Sequence, residues 1–474
     1  MAIERELKFR LAPRAAARAA RLLNLGAPQS LRSVYYDTPD ERLRSARVAL
    51  RVRRAGRSWI ETLKSEISPL ARGEWEALVP RGALDLARLP LAEIESALGF
   101  ELASLAERLE PRFTTRFLRR SANVEFDGAL IEVALDRGEL VAGRRREPIR
   151  ELELELKRGA PHLLARYAKS LVEPLELALS FESKAERGYR LAHGEALAPP
   201  RKWRPPDLAA SDTAERALAR LVGAALEQVN ANAPGVLASE DPEYLHQLRV
   251  GMRRLRATLT AFNALAPRAK PLKRALREFS AVLGQARDWD VFVATLPKKT
   301  PFERRARQRQ ARARRAARAL LGAPRFSRFL VRSLQWLEQA PWQESSEALP
   351  AFAAHALERL HREALASGAD IEWTDARRRH ALRIRVKRLR YGCDAFASCF
   401  RQDAVAPYLS ALEALQDDFG ELNDSAVGRS LLRELGGDAA TARALAARER
   451  RLIARAPRDW EIFAARSPFW RSAG

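Results

Sequence analysis

Acidic and cationic side chains stand at alternate positions in several short stretches near the start of this 474-residue chain. Glu4, Glu6 and Lys8 do so at the N-terminus, and Glu151, Glu153 and Glu155 further on. Arg51 and Arg53 flank Val52, Glu74 and Glu76 flank Trp75, and Glu132, Ala134 and Asp136 share a parity. Alternate residues of a strand share a face, so each group would project to one side. Carboxylates hold hard cations such as Mg2+ or Mn2+ through oxygen. Arg makes bidentate contacts to phosphoryl oxygens, and Lys supplies a point charge. Together they suit a metal-bound polyphosphate, because phosphoryl transfer needs mainly positioning and charge neutralisation. No Walker loop is present, which excludes a P-loop enzyme.

A second constellation is duplicated. His246, Arg249, Arg253 and Arg256 recur as His380, Arg383, Lys387 and Arg390. At roughly 100° per residue, offsets of 0, +3, +7 and +10 fall within an arc of about 80° on a helix. Leu248, Met252, Leu255 and Leu259 take another arc and leave an apolar face for packing. Each copy is followed by a Gly-containing segment, expected to be a turn, ending in Asp288 or Asp424. A repeat that keeps its cations in register points to a symmetric positive surface for a polyanion. Aromatics are not interleaved with these cations as in single-strand binders that stack bases. That favours inorganic polyphosphate, with nucleic acid as the less favoured partner.

These residues need two kinds of scaffold. Before about residue 197, charges alternate with Leu, Val or Trp on the opposite face. A closed antiparallel sheet with a polar lumen would bring the charged faces together. Short helices are expected at 13–25, 91–98, 101–108 and 161–173. Pro199-Pro200 and Pro205-Pro206 mark a linker at 198–210. Beyond it the pattern is helical, with helices expected near 211–233, 241–266, 268–286, 301–322, 324–340, 344–367, 374–400, 402–419 and 439–456. The expected fold is thus an α+β antiparallel β-barrel over 1–197, then an all-α bundle with internal duplication over 211–474.

Charge agrees with that division. Formal net charge is +24, with +6 in residues 1–200 and +18 in the rest, so the helical half is the stronger attractor for anions. Cys393 and Cys399, six apart on an expected helix, cannot pair without unwinding it. This fits a reducing cytosol and excludes a disulfide scaffold. The first residues show no apolar core of a signal peptide, and no run of 18 apolar residues exists, so neither a leader nor a membrane span is expected.

The N-terminal motifs carry a resemblance. Ile3 to Phe9 is similar to the opening strand of the CYTH family, the triphosphate tunnel metalloenzymes. Tyr35-Tyr36-Asp37-Thr38-Pro39, Leu50 to Arg53, Thr62-Leu63-Lys64, Arg72 to Glu76, Glu151 to Lys157 and Ser183 to Tyr189 follow in the family's order. The helical repeat resembles the CHAD domain, a module associated with inorganic polyphosphate. CYTH followed by CHAD is similar to bacterial inorganic triphosphatases.

The resemblance implies metal-dependent hydrolysis of inorganic triphosphate, with Mg2+ or Mn2+ as cofactor. Glu4, Glu6, Glu76, Asp136, Glu153 and Glu155 are the implied metal ligands, with Glu151 and Glu74 as additional carboxylates. Lys8, Arg51, Arg53, Lys64 and Lys184 would grip the triphosphate, supported by Arg187. Arg119 is chosen from the Arg116 to Arg120 cluster, with Arg116 as alternative. His246, Arg249, Arg253, Arg256, His380, Arg383, Lys387 and Arg390 would hold polyphosphate. The implied location is cytoplasmic, with association to polyphosphate granules as a corollary. Competing readings are a hydrolase or cyclase for thiamine triphosphate or a nucleotide, and a non-catalytic polyphosphate- or nucleic-acid-binding protein.

Overall fold

The computed structural model describes residues 2–68, 71–263, 265–266, 269–296, 298, 301–339, 347–437 and 439–471. Its first half begins with β1 (Ala2–Arg10), α1 (Pro13–Leu22), β2 (Gln29–Asp37), α2 (Arg42–Ser45), β3 (Val48–Ala55), β4 (Ser58–Ser68) and β5 (Ala71–Leu78). It continues with α3 (Leu91–Leu98), β6 (Glu110–Phe126), β7 (Ala129–Ala142), β8 (Arg145–Arg158), α4 (Pro161–Val172), β9 (Ala178–Ser180) and α5 (Lys184–His193). All pairings are antiparallel, in the order β5-β4-β3-β2-β6-β7-β8-β1, and β5 pairs again with β1. An eight-stranded barrel therefore closes on itself, and the short β9 lies along the end of β1.

Charged side chains gather on the inner face of the barrel over part of its length, because the alternation seen in the sequence runs in phase around the ring. Register partners link Arg51 to Thr62, Thr62 to Glu76, Lys64 to Glu74 and Glu4 to Arg72. The ring continues from Lys8 to Glu153, Glu153 to Ala134, and Asp136 to Arg119. Register partners point to one face, so all these side chains turn inward. The opposite parity supplies Leu50, Leu63 and Trp75, which pack beneath Ile94 of α3 and the segment around Leu102. The expected helix at 101–108 is a 3-10 helix over Ala103–Arg108. Asp127 and Gly128, both at positive φ, make the β6–β7 turn, as a tight hairpin requires.

The lumen is polar over only part of its length. Leu31, Phe113, Phe117 and Ile149 also face inward, and they form a buried apolar cluster with Tyr189 and Leu191 of α5. Gly188 lets the helix approach this closely, since a Cβ there would sit 2.0 Å from the Phe113 ring.

The second half contains α6 (Ala214–Ala238), α7 (Pro242–Ala261), α8 (Lys270–Ala294), α9 (Pro301–Gly322), α10 (Pro324–Gln339), α11 (Leu349–Gly368), α12 (Ala376–Phe396), α13 (Gln402–Glu434) and α14 (Ala439–Ala464). Residues 264, 268, 340 and 344–346 of the expected helices lie outside the described residues. Two compact units result, Met1–Arg201 with Gly322–Ala340, and Lys202–Leu321 with Pro341–Gly474. The helix α10 thus belongs with the barrel. Its Ser327 hydroxyl accepts a hydrogen bond from Leu179 N at 3.1 Å, and Lys169 of α4 donates to Gln335 at 3.2 Å.

One expectation is corrected. The Gly-containing segments before Asp288 and Asp424 are not turns, because α8 runs on to Ala294 and α13 to Glu434. Glycine costs a helix interior only about 1 kcal/mol, which tertiary packing readily offsets. At Gly284 the missing side chain leaves room for the Arg249 guanidinium, which would lie 3.0 Å from a Cβ. Pro234, Pro407 and Pro457 likewise sit inside helices.

Candidate functional site

Three groups of side chains share the polar lumen. The first is centred on Lys184. Ser183 caps α5 reciprocally with Glu186, its hydroxyl accepting from Glu186 N at 3.1 Å and its N–H donating to the Glu186 carboxylate at 2.7 Å. This capping box fixes Lys184 as the first residue of the helix. Its ammonium lies 2.8 Å from Asp136, 2.7 Å from Glu151 and 2.7 Å from Glu153. Arg119 donates to Asp136 through two nitrogens, each at 2.7 Å, and also to Glu153. Arg187 pairs with Glu147 at 2.7 Å and with Glu151. Burial works against the Lys184 charge, but Asp136, Glu151 and Glu153 outweigh it and keep the ammonium protonated above its ordinary range. Burial likewise pushes Glu153 up, yet Lys184, Arg119 and Lys8 hold its carboxyl well below the usual value.

The second group joins β1 to β4 and β5. Lys64 pairs with Glu4 and, at 3.0 Å, with Glu74. Glu6 receives Lys8 at 2.6 Å and Arg72 at 2.9 Å. Against the upward push of burial, Lys8 and then Arg72 pull the Glu6 carboxyl down to about 2.

The third group is cationic and differs in kind. Among the described residues, neither Arg51 nor Arg53 has an ion-pair partner. Arg53 donates to the Ser33 hydroxyl at 3.3 Å, and Arg51 Nε is buried with no hydrogen-bond partner. Burial, then the neighbouring Arg51, lowers the Arg53 guanidinium to about 10. Tyr35 stacks on Phe113 with ring centroids 4.6 Å apart. Burial raises its phenol, but Arg51 and Arg53 bring it below its ordinary value.

The lumen therefore gathers Glu4, Glu6, Lys8, Arg51, Arg53, Lys64, Arg119, Asp136, Glu153 and Lys184. Glu76 also faces inward and accepts from Thr62 at 2.9 Å. Glu155 shares the inward parity but pairs with Lys157 at 2.6 Å, away from the Lys184 group. Arg187 is buried behind Glu151. Arg116 lies on the exposed outer parity, opposite in phase to Arg119. Sequence reasoning missed Arg72, although its parity with Glu74 and Glu76 would have found it.

A hard divalent cation is compatible with this chemistry. Oxygen atoms of Asp136, Glu151 and Glu153 lie within 4.8 Å of one another, and an all-carboxylate donor set is what Mg2+ or Mn2+ accepts.

In the helical unit, α7 packs against α8, α12 against α13, and both α7 on α12 and α8 on α13. The two basic motifs therefore meet. Lys387 is half-buried and feels the charges of Arg383, Arg253 and Arg249; after burial these are the main reasons its ammonium falls to about 6, with Asp424 the only opposing influence among them. Arg249, also half-buried and crowded by Arg253, falls to about 10, and donates to Ser280 O at 3.2 Å. Arg253 and Arg383 each have a buried Nε without a hydrogen-bond partner. Burial and then Arg287 lower His246 to about 4. Arg256 adjoins, crowded by Arg388 and Arg253. His380 is exposed beside Asn423 at 3.3 Å, and Arg390 turns to Glu413 at 3.0 Å.

Comparison with known families decides the assignment. The CYTH domain model matches residues 2–189 and the CHAD domain model residues 220–433. The chain is a CYTH domain followed by a CHAD domain. Over 186 residues, in its CYTH region, it is 34% identical to the inorganic triphosphatase of Haemophilus influenzae. That stretch is 37% of this chain and 49% of the relative, so the chain spans about half the length of the curated protein it matches. The crystal structure of a CHAD domain from the plant Ricinus communis is similar at 30% identity, with a TM-score of 0.49, over 58% of this chain and 97% of that one. A putative adenylyl cyclase from Hippeastrum, described as having a dominant triphosphatase activity, is similar at 17% identity, with a TM-score of 0.29, over 41% of this chain and 98% of that one. No helix among the described residues is long and apolar enough to cross a membrane.

Proposed function

We propose that the CYTH barrel hydrolyses inorganic triphosphate with the help of Mg2+ or Mn2+, and that the CHAD domain binds inorganic polyphosphate. One observation carries the reading. A single lumen joins a wall of carboxylates to two guanidinium groups, Arg51 and Arg53, that have no carboxylate of their own among the described residues. A pure anion binder would gain nothing from the carboxylates, and a pure cation binder nothing from the arginines.

In this reading Arg51 and Arg53 take phosphoryl oxygens, with Lys8 and Lys64 as further point charges. Asp136, Glu151 and Glu153 would hold the divalent cation, and Glu4 and Glu6 face the same space. When bound, the cation supplies charge neutralisation and Lewis acidity at the phosphoryl oxygens. Water attacks the terminal phosphorus, the phosphoanhydride bond breaks, and phosphate and pyrophosphate leave. Arg119 would steady the charge that moves onto the leaving group. The aromatic cluster around Phe113 is filled by its own rings and by α5, which leaves no stacking platform there for a base. That favours inorganic triphosphate over a nucleotide or thiamine triphosphate.

The deciding assay is phosphate release from tripolyphosphate, ATP and thiamine triphosphate with each metal. Release is expected to be highest on tripolyphosphate and lost in Glu4→Ala and Lys8→Ala. Equal inertness of the wild type and both variants with every metal would end the catalytic reading.

A further inference from the structure

The carboxylates best placed for a divalent cation are already neutralised by the protein itself. Lys184 contacts Asp136, Glu151 and Glu153, the same three residues whose oxygens cluster within 4.8 Å. Its side chain is only 7% exposed. A divalent cation drawn to those carboxylates would meet an ammonium already seated among them, and the two would repel each other at that range. Lysine is suited to leave: it carries a point charge on a flexible four-carbon stem. Arg119 holds two of the same carboxylates but has a planar guanidinium that makes two hydrogen bonds to Asp136 at once.

We propose that Lys184 is an internal stand-in for the metal, seated among Asp136, Glu151 and Glu153 until a divalent cation displaces it and turns it toward the triphosphate. The inference rests on the hydrolase reading and adds an order to it. Triphosphate draws Lys184 off the carboxylates and so opens the cation site. The cation, in turn, frees Lys184 as a donor to phosphate. Coupling of this kind is reciprocal, so each ligand strengthens the other and neither binds tightly alone. The three carboxylates are meanwhile never left buried without a counter-charge, a condition that is strongly destabilising.

The test is Mn2+ binding by the full chain without any triphosphate, read by electron paramagnetic resonance. Lys184→Gln should bind Mn2+ about tenfold more tightly than the wild type or better, within the usual range for a coupled site. Arg53→Gln removes the same charge from the same lumen without touching the three carboxylates, and should shift the affinity less than about threefold. An unchanged affinity in Lys184→Gln, or an equal gain in Arg53→Gln, would overturn the stand-in role while leaving the hydrolase reading intact. Absence of Mn2+ binding and of phosphate release from tripolyphosphate in the wild type would instead remove the reading beneath it. If Lys184→Gln does not fold, Arg119→Gln takes its place, with a smaller gain expected and no gain counting against the proposal.

Discussion

Lys184 and Lys387 are both lysines drawn out of water, and their ammonium groups shift in opposite directions. Lys184 sits among carboxylates and is held charged. Lys387 sits among arginines and falls to about 6. The contrast extends to their neighbours, since Arg119 rises while Arg249 falls to about 10. The CYTH lumen balances its own charge in most places, and among the described residues Arg51 and Arg53 have no ion-pair partner. The CHAD cluster crowds like charges and leaves them short of counter-ions. Under the proposed functions, a site for both a cation and an anion would be built from ion pairs that can exchange, and a site for a polyanion alone from repulsion that the ligand would relieve.

The largest effect that could break this contrast lies in the lumen. Glu153→Gln removes the carboxylate that binds Lys184 and Arg119 and acts on Lys8. Phosphate release from tripolyphosphate should fall about 10²-fold or more, while retention of long-chain polyphosphate by the same variant persists. Loss of both together would mean the two sites are not separate. Next comes the CHAD cluster, where Arg249→Ala/Arg383→Ala should weaken polyphosphate retention at least about tenfold, as expected for charged hydrogen bonds. The remaining retention should also depend less on salt. Unchanged retention in that double variant would place the polyanion site elsewhere.

A third prediction separates the two regions by pH. The unfolded chain keeps Lys387 protonated up to its ordinary 10.5, whereas the folded chain releases that proton near 6. Between those values the unfolded state binds more protons, so this group makes the CHAD domain more stable as pH rises. Glu6 behaves otherwise. Its folded value is about 2 against an ordinary 4.5, so its contribution is complete above 4.5 and lost as pH falls through 2. A bound polyanion favours the charged lysine, and binding near pH 8 should therefore take up about one proton. Calorimetry in buffers of different ionisation enthalpy measures that uptake, which Lys387→Arg should abolish.

Much of this is legible in the sequence alone. Alternation gave the lumen parity, because a strand's period of two leaves little freedom once one face is buried. The shared offsets of His246 and His380 identified the duplicated helices. What stayed hidden depends on packing across the chain. Gly284 reads as a turn in isolation, yet it sits inside α8, where Arg249 fills the space a side chain would take. Nothing in the helical period of 324–339 distinguishes a helix that packs on α4 and β9 from one inside the CHAD bundle. Glu155 shares its parity with Glu153 but meets Lys157 instead of the Lys184 group, a difference of position along the barrel that alternation does not encode.

The smallest effect tests the symmetry of the repeat. His246 and His380 occupy the same place in the two motifs, but burial and Arg287 push His246 down to about 4, while His380 stands exposed beside Asn423. At neutral pH His246 is therefore uncharged in the free protein and can offer polyphosphate one hydrogen bond and no full charge. Its replacement by Gln keeps a donor of similar reach, so the loss at pH 7.5 should stay below about fivefold, the worth of a single neutral hydrogen bond. A phosphate placed beside the ring would favour the imidazolium and raise its value from 4. The penalty of His246→Gln should then grow as pH is lowered toward 5, in a binding assay at fixed ionic strength. A penalty independent of pH would mean that the ring only packs, and that the duplicated histidine is retained for α7 rather than for the ligand.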